Sequence, residues 1–270
     1  MKVFVTGGTG LVGSHVAERL RRRGDEVLCL QRSSSNTSFL RSIGCRIVRG
    51  DVRDDPESTV RAMEGCDALV HGAALIYARD PWPKIRAVNV EGTERILRSA
   101  RKAGIGRAVH ISSVAVYGDP RGRVDEETPL DSPLRPKDLY ARSKREAEDV
   151  AFDLHGRGRL SVTVLRLSAV YGERDRLFAP RLAALARLPV TPLLGSGRAP
   201  LPVVYAGNAA EAVLGAMDAS RGGGRAYNVA SDHPTTQREL LEGIAGGLGC
   251  GLRLFPVPGP LVWWGARLGD

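Results

Sequence analysis

The stretch Lys2-Val3-Phe4-Val5-Thr6-Gly7-Gly8-Thr9-Gly10-Leu11-Val12-Gly13 decides the fold. An apolar, strand-favouring run ends at Thr6, glycines follow at 7, 10 and 13, and a helical pattern runs from Leu11 to Arg23 before Gly24. In a G-x-x-G-x-x-G turn the first glycine permits a tight bend and the second lets backbone approach a pyrophosphate. The third lets the helix lie close on its strand. The helix N-terminus then offers amides and a positive dipole end to phosphate. Gly7, Thr9, Gly10, Leu11, Val12 and Gly13 are therefore the candidate cradle of a dinucleotide site.

The rhythm continues outward from this turn. Apolar strands are expected at 26–31, 46–48, 68–71, 107–112 and 161–167, alternating with helices at 56–64, 84–103 and 138–155. Such alternation implies an α/β fold, a doubly wound, Rossmann-type parallel sheet covered on both faces. Beyond Gly172 the pattern changes. Pro180, Pro189, Pro192, Pro200 and Pro202 mix with Gly195 and Gly197, the composition of a loop-rich cap. The expected division is a dinucleotide-binding domain at 1–172 and a small C-terminal substrate-binding lobe at 173–270, with elements exchanged between them. Within the second part, 208–219, 235–248 and 261–268 read as helices and 226–229 as a strand.

Composition narrows the function classes. The 270 residues are 43% hydrophobic and 26% charged, enough for a buried core. No run approaches the roughly 18 apolar residues of a spanning helix, so no membrane role is expected. The opening reads as a first strand and not as a signal peptide, so a cytoplasmic protein is expected. Whether the natural chain extends beyond residue 270, just after the apolar pair Trp263-Trp264, stays open. Cys29, Cys45, Cys66 and Cys250 form no C-x-x-C pair and no metal spacing, and read as core residues; no metal is expected. The net charge of +9 comes from scattered residues, arginine at all but five of 39 basic positions. With no aromatic RNA-binding signature, nucleic acid is not an expected partner.

The end of the second strand bears on the cofactor. A carboxylate there normally binds the adenosine ribose hydroxyls. Here the sequence is Leu30-Gln31-Arg32-Ser33-Ser34. Arg32 and Ser33 stand where a 2′-phosphate would need a cation and a hydroxyl, which favours NADP(H), with NAD(H) possible.

Tyr140-Ala141-Arg142-Ser143-Lys144 sets Tyr140 and Lys144 one helical turn apart on one face. A phenol of ordinary pKa about 10 is a poor acid or base at neutral pH. A neighbouring ammonium stabilises its phenolate and makes it a usable proton carrier.

With these motifs the chain resembles the extended short-chain dehydrogenase/reductase superfamily, in particular its NAD(P)-dependent epimerase/dehydratase group. The resemblance rests on seven segments in order: 6–13, Gly50-Asp51-Val52, His71-Gly72-Ala73-Ala74, Asn89-Val90-Glu91-Gly92-Thr93, Ser112-Ser113-Val114-Ala115-Val116-Tyr117-Gly118, 140–144 and Leu165-Arg166-Leu167-Ser168-Ala169-Val170-Tyr171-Gly172. The resemblance implies that Asp51 and Val52 hold the adenine and that Gly72, Ala73 and Ala74 bring backbone against the cofactor. It implies that Asn89 steadies that site, with Leu167, Ser168 and Val170 near the carboxamide. Ser113 matches the hydroxyl that bonds the reacting oxygen, with Ser112 the second candidate and a cofactor neighbour. The resemblance further implies that Tyr140 is the proton carrier and that Lys144 also binds the nicotinamide ribose. The helices at 84–103 and 138–155 match those that pair in family homodimers. Tyr117 and Tyr171 read as packing aromatics, and His71, His110 and His233 as structural.

The chain departs from the nucleotide-sugar enzymes at 195–208. The position of their diphosphate-gripping arginine falls on Leu201, inside Pro200-Leu201-Pro202. Arg198 lies three residues early, and the Asp-Asp pair becomes Gly207-Asn208. A diphosphate requires charge-assisted donors. The expectation is hydride transfer at a carbonyl or secondary alcohol of a small, apolar substrate, as in relatives resembling 3β-hydroxysteroid dehydrogenases and dihydroflavonol reductases. The alternatives are a nucleotide-sugar epimerase or dehydratase retaining NAD, and a non-catalytic nicotinamide-binding sensor or scaffold.

Overall fold

The computed structural model describes residues 1–76, 80–120, 122–231, 233 and 235–258. In chain order β1 (Lys2–Thr6), α1 (Leu11–Arg22), β2 (Glu26–Gln31), α2 (Ser38–Ser42), β3 (Arg46–Arg49) and α3 (Pro56–Met63) come first. They are followed by β4 (Ala68–His71), α4 (Trp82–Asn89), α5 (Glu91–Lys102), β5 (Arg107–Ser113), α6 (Leu139–Leu154) and β6 (Ser161–Leu167). The chain then forms β7 (Ala169–Tyr171), α7 (Phe178–Ala186), β8 (Thr191–Leu194), β9 (Pro200–Leu201) and β10 (Val203–Tyr205). It continues with α8 (Ala206–Asp218), β11 (Ala226–Val229), β12 (Thr235–Thr236), α9 (Gln237–Leu248) and β13 (Leu254–Val257).

The chain divides into two compact units: Met1–Ser168 with Ala206–Val229, and Ala169–Tyr205 with the chain from Ala230. The first unit holds a seven-stranded sheet of order β11-β6-β5-β4-β1-β2-β3, with every neighbouring pair parallel. It is the doubly wound, Rossmann-type arrangement that the alternation of strands and helices implies. Both faces are covered, so the central strands are apolar throughout rather than alternating; β4 is buried at all four positions. One core cluster joins Phe4, Leu28 and Leu69 to Ile96, Leu97, Val162 and Val164. On α8, Ala206, Ala209, Ala210, Val213, Leu214 and Met217 are buried. That helix and β11, which pairs with β6, return to the first unit after the excursion through β7–β10. The strand order reverses between β1 and β4, the switch point at which doubly wound sheets open a crevice.

The sequence pattern at 84–103 suggests one helix, but two form, meeting at Val90 (φ −101°, ψ −64°). The cause is a side chain. Thr93 Oγ1 donates to the Asn89 carbonyl at 2.6 Å, competing with the helical ladder, and threonine bonding four residues back bends helices.

In the second unit the segment expected to be loop-rich contains short ladders: β10 beside β7, β9 beside β12 and β8 beside β13. Two- and three-residue ladders interrupted by proline carry no readable period. Helix α7 forms despite Pro180 because proline is tolerated in a first turn. Asp175 also accepts hydrogen bonds from the Leu177, Phe178 and Ala179 amides. The expected helix at 235–248 begins at Gln237, with Thr236 and Glu239 forming a capping box. The expected helix at 261–268 lies outside the described residues.

Candidate active site

Thr6 ends β1 and anchors the crevice. Its Oγ1 accepts hydrogen bonds from the Gly72 and Ala73 amides, both at 3.2 Å, so its own hydrogen is directed to His71 Nδ1 at 2.7 Å. His71 therefore carries its proton on Nε2 and donates to Thr93 Oγ1, which donates in turn to the Asn89 carbonyl. Burial, reinforced by Lys144, pushes the His71 imidazole down to about 3, consistent with a neutral ring of one tautomer. The Asn89 amide brackets Leu75, accepting from its N–H and donating to its C=O, and also donates to Ser143 Oγ. Ser143 donates to the Tyr140 carbonyl. One directed chain thus ties the glycine turn to the β4 loop and to α6.

The glycine turn is sterically obligatory. A Cβ on Gly7, at φ +75°, would lie 2.6 Å from the Gly72 carbonyl carbon, and one on Gly13 would lie 2.2 Å from Gly7 O. The first-turn amides of α1 have no intrahelical acceptor, and no side chain caps Gly10. Beside the turn lies a cavity of about 240 Å³, lined by Gly7, Thr9, Gly10, Gln31, Arg32, Asp51, Val52, Gly72, Ala73 and Ala74 among others.

The other sequence-derived candidates separate. Leu11, Val12 and Gly13 sit in the first turn of α1 and are not among the residues lining the cavity. Ser33 is exposed and absent from the lining, where Ser35 appears instead. Asn89 is buried and acts through the Leu75 backbone. Asp51 accepts hydrogen bonds from the Arg53 backbone and guanidinium, and these hold its carboxyl below the usual range. Leu167 and Ser168 are buried at the end of β6. Val170 belongs to the β7–β10 ladder of the second unit.

The reacting candidates lie on β5, the turn after it, and α6. Asp138 caps α6 by accepting from the Ala141 amide. Lys144, 4% exposed, donates to the Ile111 carbonyl at 2.8 Å, and its Nζ lies 5.9 Å from the Tyr140 ring centre. Burial lowers the ammonium from 10.5 to about 8, with the Glu148 carboxylate opposing that fall. Beside it His110 stacks on His71 at 5.4 Å and is held neutral by burial and by Lys144. The two serines part company. Ser112 is buried and donates to Glu148, whereas Ser113 is partly exposed and accepts from the Ala115 amide, leaving its hydroxyl hydrogen for another acceptor. Among the described residues no group of three or more His, Cys, Asp or Glu side chains could hold a metal ion. No helix among them is long and apolar enough to cross a membrane.

Sequence reasoning missed Gln31, whose buried Nε2 has no hydrogen-bond partner among the described residues although its Oε1 accepts from Thr9. It also missed Glu148 and Arg166. One signal was available: a lone arginine inside the apolar run of β6 must find a buried counter-charge.

A glycine-lined crevice at the sheet's switch point, with Tyr140 and Lys144 on the helix after β5, has the arrangement of an enzyme of the short-chain dehydrogenase/reductase type. Residues 3–230 match the family described as "NAD dependent epimerase/dehydratase family", and the chain belongs to it. It is 33% identical over 273 residues to 4-hydroxy-2-methyl-3-oxo-4-farnesyl-3,4-dihydroquinoline-1-oxide ketoreductase of Stigmatella aurantiaca, covering 100% of this chain and 80% of that one. It is 31% identical to the 2-alkyl-3-oxoalkanoate reductase of Stenotrophomonas maltophilia (strain K279a), covering 92% and 76%. Among solved structures, the Thermus thermophilus UDP-glucose 4-epimerase complex with NAD superposes with a TM-score of 0.76 at 30% identity, covering 96% and 86%.

Proposed function

We propose that the protein is an NAD(P)H-dependent reductase of a small, apolar ketone, running reversibly as an alcohol dehydrogenase. The observation that carries this reading is the buried Lys144 ammonium beside the Tyr140 ring, with Ser113 and not Ser112 left to meet a substrate. When bound, the nicotinamide supplies or accepts the hydride. Tyr140 exchanges a proton with the substrate oxygen, Ser113 orients that oxygen, and Lys144 favours the tyrosinate and anchors the ribose. The glycine turn and α1 N-terminus receive the pyrophosphate, Asp51 and Val52 the adenine, and Leu167, Ser168 and Val170 the carboxamide. The cavity fits such a group: it opens beside the turn where Gly7, at φ +75°, admits no Cβ, and Arg32 stands in its lining.

Arg32 in the same lining supports NADP(H) over NAD(H). The substrate class draws on Leu201 standing where the nucleotide-sugar enzymes have arginine, and on two relatives named as reductases of 3-oxo compounds. A homodimer through α4–α5 and α6 belongs to the same reading. The test follows NADPH and NADH oxidation with 2-alkyl-3-oxo esters and other ketones, against UDP- and dTDP-sugars as the contrasting set. Ketone reduction with NADPH is expected. Tyr140→Phe should lose about 10²–10⁴ in kcat, the usual worth of a general acid, and keep its cofactor affinity. Full activity in that variant would refute the assignment. Sugar turnover with no net redox change would mark a nucleotide-sugar epimerase or dehydratase instead.

A further inference from the structure

The face of α6 that carries Tyr140 and Lys144 continues one turn further to Glu148, whose side chain is 2% exposed. A carboxylate that deep must be paired and fully hydrogen-bonded. Arg166 of β6, itself 6% exposed, grips it with Nε at 3.1 Å and Nη2 at 2.7 Å, and Ser112 of β5 donates to it as well. The remaining guanidinium edge donates to the Tyr117 hydroxyl at 2.8 Å, which passes its hydrogen to Asn228 Oδ1 at 2.9 Å. Replacing such a pair by apolar residues is often neutral or stabilising, so packing alone does not account for it.

The groups around Lys144 supply a reason. From its own helix it faces Tyr140 and Glu148, and from β4 and β5 the neutral rings of His71 and His110 and the Ile111 carbonyl. Glu148 supplies the negative charge in this set, and it is bonded to Arg166 and Ser112 rather than to Lys144 Nζ. An ammonium has three N–H donors. A direct ion pair would take one of them and draw Nζ along the helix, away from Tyr140.

We propose that Glu148 is a positioning residue of the active site: the fixed counter-charge of Lys144, clamped by Arg166 and Ser112 so that it acts on the ammonium through its field and takes none of its N–H donors. The proposal rests on the catalytic reading of Tyr140 and Lys144. Burial drives the Lys144 proton off and Glu148 holds it on, which is the balance that such a clamp sets.

The chain has five lysines, Lys2, Lys84, Lys102, Lys137 and Lys144, so NMR titration of the full chain labelled with ¹³C-lysine reads each ammonium separately. Lys144→Met assigns the Lys144 signal. Its midpoint is expected at about 8 in the unaltered chain. Glu148→Gln should lower it by about one pH unit, the scale of a lost neighbouring charge. Arg166→Gln, which leaves the carboxylate uncompensated, should raise it, and Glu148→Asp should hold it near the original value. Mere loosening of the core would admit water and raise the midpoint in both amide variants, so opposite shifts separate charge from packing. The double variant Glu148→Gln/Arg166→Gln keeps a neutral hydrogen-bonding pair and should fall below the unaltered chain even where a single variant does not fold. An unchanged or raised midpoint in Glu148→Gln or in the double variant overturns the proposal. Because the readout is a proton and not turnover, absence of ketone reduction in the unaltered chain would sink the functional reading separately.

Discussion

Replacing Lys144 by methionine should make the protein more stable and catalytically inert. The side chain is buried, and its fall from 10.5 to about 8 measures how much the fold disfavours the ammonium. At 1.36 kcal/mol per pH unit that is about 3 kcal/mol at neutral pH. Methionine matches the unbranched shape but gives up the hydrogen bond to the Ile111 carbonyl, worth about 1 kcal/mol net. A gain of about 2 kcal/mol remains, or about 4–8 °C in Tm for a chain of this size. The pH dependence has a definite sign. A lysine whose folded pKa is depressed burdens the folded state fully below about pH 8, where both states are protonated. From there to about 10.5 the folded chain has released a proton that the unfolded chain still holds, so the stability of the unaltered protein rises through this window. The methionine variant gains nothing there, so its advantage vanishes and turns into a deficit of up to about 1 kcal/mol, the hydrogen bond it gave up. Paired thermal unfolding by circular dichroism at pH 7 and pH 10.5 cancels every other titrating group. A variant less stable at pH 7, or an advantage independent of pH, would refute the reasoning.

Three other substitutions probe the crevice. Gly13→Ala sets a methyl 2.2 Å from the Gly7 carbonyl; it should cost about 1–3 kcal/mol and weaken NADPH binding more than tenfold by fluorescence titration, and unaltered affinity would mean that the turn does not cradle the phosphates. Thr6→Val strips the Gly72 and Ala73 amides and His71 Nδ1 of their shared partner. It should lower unfolding stability by about 1–3 kcal/mol, and a loss below about 0.5 kcal/mol would contradict the directed chain. Arg32→Ala should weaken NADPH binding by about 10- to 100-fold, the worth of a charged hydrogen bond, with NADH within about twofold; equal losses for both would remove the 2′-phosphate reading.

Much of the first unit was legible because its signals are local. Buried parallel strands read as short apolar runs, and the glycines at 7, 10 and 13 recur at a regular spacing, although the contact that requires Gly7 is made with the distant Gly72 backbone. Tyr140 and Lys144 share a face through helical spacing. The second unit was not legible in that way, since β9 and β12 are two residues long and Pro200 sits inside the first of them. The break at Val90 was hidden because it depends on where one threonine hydroxyl points.

The sequence by itself determined the doubly wound sheet, the glycine turn and the pairing of a phenol with an ammonium, since each follows from spacing along the chain. Tertiary structure decided the rest. Glu148, 36 residues from Ser112, takes the hydroxyl hydrogen of Ser112 and not that of Ser113. The protonation of Lys144 is likewise set by burial and by that carboxylate. On the linear chain Glu148 belongs to the run Glu146-Ala147-Glu148-Asp149, which reads as a solvated helix face. Only when β6 brings Arg166 against it does that charge become buried, paired and able to act on its neighbour, because the strength of a charge depends on the water that folding removes.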